Sequence, residues 1–223
     1  MHVPGIYQNS RYAPTAEIIQ RNPLALVVTS TAAGPIATHT PVVFQMAPTP
    51  PVLEGDESQL VGTVLVGHMN IQNPQWQAMS DGERALIVFQ GPHGYVCPDA
   101  YGVSPAAPTW NFSVVHLQGT VRLMADQEAV LGVVRLTVRE LEGRFGRGWD
   151  ASQSLEYFRK LAPGVGAFEF RIDSVQSMFK LSQEQRPESR ERVIEEFEAS
   201  PASMHRDLAG AMRAWPMGNP RDE

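Results

Sequence analysis

The stretch Leu60-Val61-Gly62-Thr63-Val64-Leu65-Val66-Gly67-His68-Met69-Asn70-Ile71-Gln72-Asn73-Pro74-Gln75-Trp76 reads as a strand that turns directly into a helix. The apolar run from Leu60 to Val66 has the length and β-branched content of a buried strand, which extends to His68. Asn73 is a good helix N-cap, Pro74 suits the first helical position, and Trp76 and Met79 follow at a spacing of three. An imidazole therefore stands at a strand-to-helix corner, where a rigid scaffold presents side chains to ligands.

Working outward, strands dominate the middle of the chain. Leu24 to Ser30 is an apolar, β-branched run. Ala32-Ala33-Gly34-Pro35 makes a turn and Ile36 to Phe44 returns, which predicts a hairpin. Residues 46–58 hold three prolines and three acids and predict an exposed loop. Arg84 to Gln90 reads as a strand ended by Gly91-Pro92, and Phe112 to Met124 as a long strand with a bulge or bend at Gly119. Between them, residues 92–111 form a loop dense in Pro, Gly and aromatics, a composition that lines ligand sites when packed over a barrel mouth. Ala167 to Leu181 reads as a closing strand pair with a turn near Asp173-Ser174.

Helical periodicity appears elsewhere. Pro14 to Arg21 predicts a short helix stopped by Asn22-Pro23. Asp126 to Phe145 switches to helical spacing, with Asp126 as N-cap and Val130, Val133, Val134, Leu136, Leu141 and Phe145 as buried positions. Ser152–Leu161, Glu188–Phe197 and Met204–Trp215 are further helices, the second a solvated face of mixed charge, and the last eight residues are expected to fray. No regular βαβ alternation is present, so the fold class is α+β: a small antiparallel β-barrel with flanking helices. The expected division is a barrel domain over residues 1–185, with a helical insertion at about 126–161, and a C-terminal helical extension over 186–223.

Composition narrows the function. A net charge of −6 and a pI near 5.5 lack the basic footprint of a nucleic-acid binder. One cysteine, Cys97, rules out an internal disulfide and a Cys-based zinc cage. No apolar run approaches the roughly 20 residues that span a bilayer. The N-terminus, Met1-His2-Val3-Pro4-Gly5, has neither the basic nor the apolar region of a secretory signal. A cytoplasmic protein without membrane contact is expected.

Chemistry-bearing residues are few. His68, His39 and His116 fall on different strands, and their convergence would make a three-histidine metal site; the alternative for each is a histidine bonded to its surroundings. Ser104 and Ser113 neighbour histidines in sequence only, and no nucleophile elbow, P-loop or dinucleotide fingerprint occurs. Gly164-Val165-Gly166 is a turn entering a strand. Lys180, in Lys180-Leu181-Ser182-Gln183, could hold a phosphate or carboxylate as a point charge, or be an exposed strand end.

Four ordered segments carry a resemblance. Gly67-His68-Met69 with Asn73-Pro74-Gln75-Trp76, Phe89-Gln90-Gly91-Pro92-His93-Gly94-Tyr95-Val96, Pro108-Thr109-Trp110-Asn111-Phe112 with Val115-His116, and Lys180-Leu181-Ser182-Gln183 resemble the signature set of the PaiB-type proteins. These are known as FMN-binding negative transcriptional regulators. The resemblance runs from Val3-Pro4 to Gln185. It implies a split β-barrel of the FMN-binding type, assembled as a homodimer with cofactor sites between subunits.

A branch of that family is more similar still. Gly148-Trp149-Asp150, Ser154 to Phe158, Pro163 to Phe168 and Met178 to Gln185 resemble the piperazate synthases, which share the fold, use haem b and cyclise N5-hydroxy-L-ornithine to L-piperazic acid. The resemblance implies that His68 is the axial iron ligand. It implies cofactor-binding positions at His68, Met69, Trp110, Asn111, His116 and Lys180, and a catalytic role for His68 and Lys180. The regulator-type pattern commonly reads Gly-His-Met-Ala-Arg-Ala-Asn-Pro; here Ile71 occupies the arginine's place, which removes a phosphate-binding cation and suits an apolar macrocycle. The resemblance implies a hydroxylated diamino acid as substrate, with Lys180 or Arg171 as candidates to hold its carboxylate. FMN is the alternative cofactor, in a regulator or accessory flavoprotein.

Overall fold

The structure is a computed structural model describing residues 1–46 and 55–215. Most of the predicted loop over 46–58, and the last eight residues, lie outside the described residues. The elements are α1 (Tyr12–Arg21), β1 (Leu24–Thr31), β2 (Gly34–Phe44), β3 (Val64–Asn70), α2 (Pro74–Ala78), β4 (Arg84–Val96), β5 (Thr109–Leu123), α3 (Gln127–Phe145), α4 (Leu155–Leu161), β6 (Val165–Lys180), α5 (Pro187–Glu198) and α6 (Ser203–Ala214). Short 3-10 helices join several of them.

The chain forms two compact units. The larger comprises residues 11–89 and 116–176. Here six strands close a barrel in the order β1-β2-β3-β6-β5-β4. β1 and β2 are the predicted hairpin, in register from Leu24↔Pro41 to Thr31↔Gly34. β1 also pairs antiparallel with β4, Val27 opposite Ile87, which closes the ring. β3 lies antiparallel between β2 and β6, with Gly67 opposite Val42 on one side and Phe168 on the other. Val27, Leu65, Phe89, Phe168 and Phe170 are fully buried. Burial of such side chains contributes roughly 1.5–3 kcal/mol each. Val43, Val66 and Ala167 form a second cluster with Val130 and Val133 of α3, which is how the insertion helix docks.

The smaller unit comprises residues 1–10, 90–115 and 177–223. It holds the far ends of β4, β5 and β6 with α5 and α6. β4 runs close under the helices: a Cβ on Gly94 would lie 3.2 Å from His205, Leu208 and Phe197. The division differs from the sequence boundary at 185/186, because α5 and α6 share a unit with the N-terminus and with three strand ends.

Several expectations are corrected. β3 begins at Val64, not Leu60, because Asp56 accepts the Ser58 amide to start a 3-10 helix and Gly62 turns at φ +84°. β4 does not stop at Gly91-Pro92 but continues to Val96. β6 is one strand without the turn at Asp173-Ser174, since the Asp173 carboxylate is engaged cross-strand by Arg84 at 2.9 Å and Thr120 at 3.0 Å. Phe145 is 58% exposed, not buried. α5 is not merely a solvated face: Arg190, Val193, Ile194 and Phe197 are buried. Among the described residues no helix is long and apolar enough to cross a membrane.

Candidate functional site

β3 delivers His68 to the end of its strand, and α2 starts where the sequence places it. Asn73 accepts the Gln75 amide at 2.8 Å, with Pro74 in the first turn. Gln75 is fully buried and donates to the Val27 carbonyl and Thr29 hydroxyl, both at 3.1 Å, which ties the corner to β1. The Thr40 hydroxyl donates to the His68 carbonyl, which ties the same corner to β2.

Side chains alternate along β3. Leu65, Gly67 and Met69 share one face; Val66 and His68 share the other with Ala167 of β6. Met69 is therefore core, 6% exposed, on the face opposite His68. His68 is half-buried and opposite Ala167, and its Nδ1 is enclosed without a hydrogen-bond partner among the described residues. Burial lowers the His68 pKa from its ordinary 6.5, so the ring is neutral and keeps a lone pair for a ligand.

The other histidines stand apart. His39 is exposed on β2 opposite Leu26. The Met124 amide donates to the Ala167 carbonyl at 2.9 Å, so Met124 marks the level of His68 across β6. His116 precedes it by eight residues on β5, roughly 26 Å along the strand at about 3.3 Å per residue. Burial also lowers the His116 pKa. The three-histidine centre is thus not assembled, and among the described residues no group of three or more His, Cys, Asp or Glu could hold a metal. One axial imidazole remains compatible with this, because a haem brings four of its ligands itself. His68 fits that role as a neutral donor with an unmet polar atom.

Trp110, Asn111 and Lys180 belong to the smaller unit. Trp110 is 48% exposed and donates its indole N–H to His93 Nδ1 at 3.2 Å, with Tyr95 alongside at a ring separation of 6.1 Å. Asn111 is fully buried and donates to Ser182 Oγ at 2.8 Å, while its Oδ1 has no partner among the described residues. Ser113, on the same face of β5, is also buried with an unpartnered hydroxyl. Lys180 is half-buried, donates to Thr109 Oγ1 and lies 5.6 Å over the Tyr7 ring. It takes part in none of the ion pairs among the described residues, whereas Arg171, in the larger unit, lies 3.6 Å from Asp173. Of these two cations, Arg171 is engaged by a carboxylate and Lys180 is not.

Sequence reasoning missed Tyr7, Thr109, Tyr101 and Glu184. The Tyr7 pKa is pushed up to about 12 by burial first and then by the Glu184 carboxylate. Tyr101 is buried, and burial likewise raises its pKa. Nothing in their spacing marks these residues; only the folding of the N-terminal segment beside the end of β6, where Gln8 bridges to Met178, brings them together.

The sequence model of the family described as "Putative FMN-binding domain" matches residues 1–174. The chain is 26% identical over 199 residues to "Protease synthase and sporulation protein PAI 2" of Bacillus subtilis (strain 168), covering 89% of each. Among solved structures it is similar to an FAD and heme binding protein from Mycobacterium smegmatis, with TM-score 0.56 and 19% identity over 78% of this chain and 73% of that one. It is also similar to the flavocytochrome Anf3 from Azotobacter vinelandii, with TM-score 0.50 and 18% identity over 76% and 68%. These likenesses establish the split-barrel fold.

Proposed function

The chain belongs to the "Putative FMN-binding domain" family, and from that premise we propose that it is a haem-dependent piperazate synthase, a cytoplasmic homodimer that cyclises N5-hydroxy-L-ornithine to L-piperazic acid. The observation that carries this reading is His68: a neutral, half-buried imidazole with an unpartnered ring nitrogen, fixed at a strand end by an N-capped helix. Ile71, 38% exposed in the turn that follows, supports haem over FMN, because it puts no cation where regulator-type relatives carry an arginine. The similar structure from Mycobacterium smegmatis is described as that of an FAD and heme binding protein.

The reaction is redox-neutral. One N–N bond forms between the α-amine and the hydroxylated nitrogen, the N–O bond breaks, and the hydroxyl leaves as water with an amine proton. When bound at His68, the haem iron supplies Lewis-acid activation of that N–O bond. The chain's own residues bind and orient. His68 stays neutral because burial disfavours its charged form, so it remains a ligand at neutral pH. Lys180, steadied by Thr109, holds the substrate carboxylate as a point charge. Bending a flexible diamine into a six-membered geometry is the entropic part of the barrier, and it falls to such anchors.

The family description itself favours a second reading, an FMN-binding PaiB-type regulator or accessory flavoprotein. Specific DNA binding has little support: of the α5 arginines, Arg190 is 6% exposed and Arg192 donates to the Tyr101 carbonyl. Incubation of the purified protein with N5-hydroxy-L-ornithine, read by mass spectrometry, tests the enzyme. Loss of 18 mass units to give piperazic acid is expected on the mass of the water released; unchanged substrate with haem-loaded protein contradicts it. Light scattering tests the dimer, and a monomer's mass contradicts it.

A further inference from the structure

In the larger unit, α4 is a helix that buries none of its seven residues. Two of them, Tyr157 and Leu161, share one outward face at a spacing of four. Isolated helices shorter than about 12–15 residues are marginal in water, so a helix this short holds through what it packs against. More uncovered apolar surface lies around it. Phe145 at the end of α3, Trp149 and Tyr157 are each more than half exposed, and Leu161 is nearly half exposed. The Trp149 ring meets Phe158 of α4 edge-on at 6.4 Å, and the Trp149 amide donates to the Glu142 carboxylate of α3 at 3.2 Å, which holds Trp149 against both helices. Beyond Leu161, the Ile71 amide donates to the Gly164 carbonyl at 3.1 Å, so the face runs on to the exposed Ile71, three residues past His68.

We propose that this face, built on Phe145, Trp149, Tyr157, Leu161 and Ile71, is the docking surface for a second copy of the chain. The two copies pack about a two-fold axis, so the same patch serves on both sides. The area agrees. Three aromatic side chains of roughly 200 Å² each, about half uncovered, with Leu161 and Ile71 beside them, present roughly 400–500 Å² of apolar surface. A standard interface takes about 800 Å² from each partner. Slightly more than half of that is apolar, or about 450–520 Å². The face therefore supplies the apolar share of one half-interface by itself.

Charge selects the same occupant. Residues 139–161 carry five cations and four anions, a net of +1; the whole chain carries −6, which leaves −7 on the remainder. Two acidic chains repel one another over most of their surface and meet at least cost where each is close to neutral. An anionic lipid surface or a nucleic acid would face the same total of −6 with one excess cation to offset it, too few for either. This deepens the homodimer of the proposed function and rests on that reading for the chain being its own partner. It adds which residues hold the two copies together.

The test is sedimentation equilibrium of the intact protein, as purified, beside the double variant Tyr157→Glu/Leu161→Glu and the single variant Trp149→Ser. All three positions are exposed, so the far-ultraviolet circular dichroism is expected to stay that of the parent. The parent should be a dimer. The double variant should raise the dimer dissociation constant at least a hundred-fold, and Trp149→Ser at least ten-fold. Met204→Glu, at an exposed apolar position of the smaller unit, should leave it unchanged. Hydrogen exchange of the parent decides the matter if a variant fails to fold: on dilution below the dissociation constant, the amides of residues 155–161 should lose protection while those of β1 and β2 keep theirs. A monomeric parent, a double variant as dimeric as the parent, equal weakening by Met204→Glu, or protection in α4 that ignores dilution overturns the inference. So does a monomeric parent that binds phosphatidylglycerol vesicles and loses them in the double variant. The two readings fail separately. A dimer that survives the double variant, with haem and cyclisation intact, removes this face and leaves the enzyme; a dimer broken by the double variant, in a protein that carries no haem and leaves the substrate unchanged, does the reverse.

Discussion

Gly166 lies directly under the Trp76 indole: a Cβ on the glycine would come within 2.2 Å of the ring. Gly166 opposes Met69 in the β3–β6 ladder, one step from His68, while Trp76 is in α2. The strand that carries the histidine, its neighbour and the capping helix are therefore fitted together through one missing side chain.

Gly166→Ala should cost about 1–3 kcal/mol of stability, the range for forcing an extra methyl into a packed site. Gly164, two residues earlier, has nothing within 4 Å of a built Cβ. Gly164→Ala should be neutral or stabilising by up to about 1 kcal/mol. Urea unfolding followed by tryptophan fluorescence separates them; equal effects would show that Trp76 does not rest on the glycine.

Arg190 is buried and donates to the carbonyls of Leu181, Met212 and Trp215, the last at 3.2 Å. Arg190→Met should leave these acceptors unpaired and cost about 2–4 kcal/mol, given about 1.5–3 kcal/mol for a charged hydrogen bond. Hydrogen exchange should accelerate selectively in α6. Uniform acceleration across the chain would contradict a local clamp.

The pH dependence of stability has a definite sign at His68. Its pKa is lowered below the ordinary 6.5 by burial, so the unfolded chain binds the proton first as pH falls. Stability should then drop as pH falls below about 6.5 and level off below the folded pKa. His116 is lowered in the same direction, so His68→Asn should reduce the slope without abolishing it. An unchanged slope in His68→Asn would show that His68 is not the group responsible.

Tyr7 supplies the opposite edge. Its pKa rises from 10.0 to about 12, so its contribution is complete below pH 10 and lost as pH rises through about 12. Absorbance titration of phenolate should lose a late-titrating component in Tyr7→Phe; a difference spectrum centred near pH 10 would contradict the placement beside Glu184.

Local chemistry was legible in the sequence where one residue decides the outcome. Asn73-Pro74 starts α2, Asp126 caps α3 by accepting the Ala129 amide, and Thr31 to Gly34 closes the β1–β2 hairpin. Misreadings occur where a tertiary partner overrides a local signal. Pro92 and Asp173 look like breakers, yet β4 and β6 run through both, with Asp173 held by Arg84 and Thr120. Gly119 looks like a bend, but it is there because a Cβ would meet the Arg171 carbonyl at 2.2 Å. His68 could be singled out from its corner. Tyr7 and Glu184 could not, because 177 residues separate them and no periodicity connects them.

The central claim is that His68 ligates a haem iron, and the visible spectrum of the purified protein beside that of His68→Ala tests it most directly. A Soret band is expected in the parent protein, and its loss or strong displacement in His68→Ala, with the far-ultraviolet circular dichroism of the two unchanged. A flavin doublet in the parent, or an identical Soret band per folded molecule in His68→Ala, would contradict it.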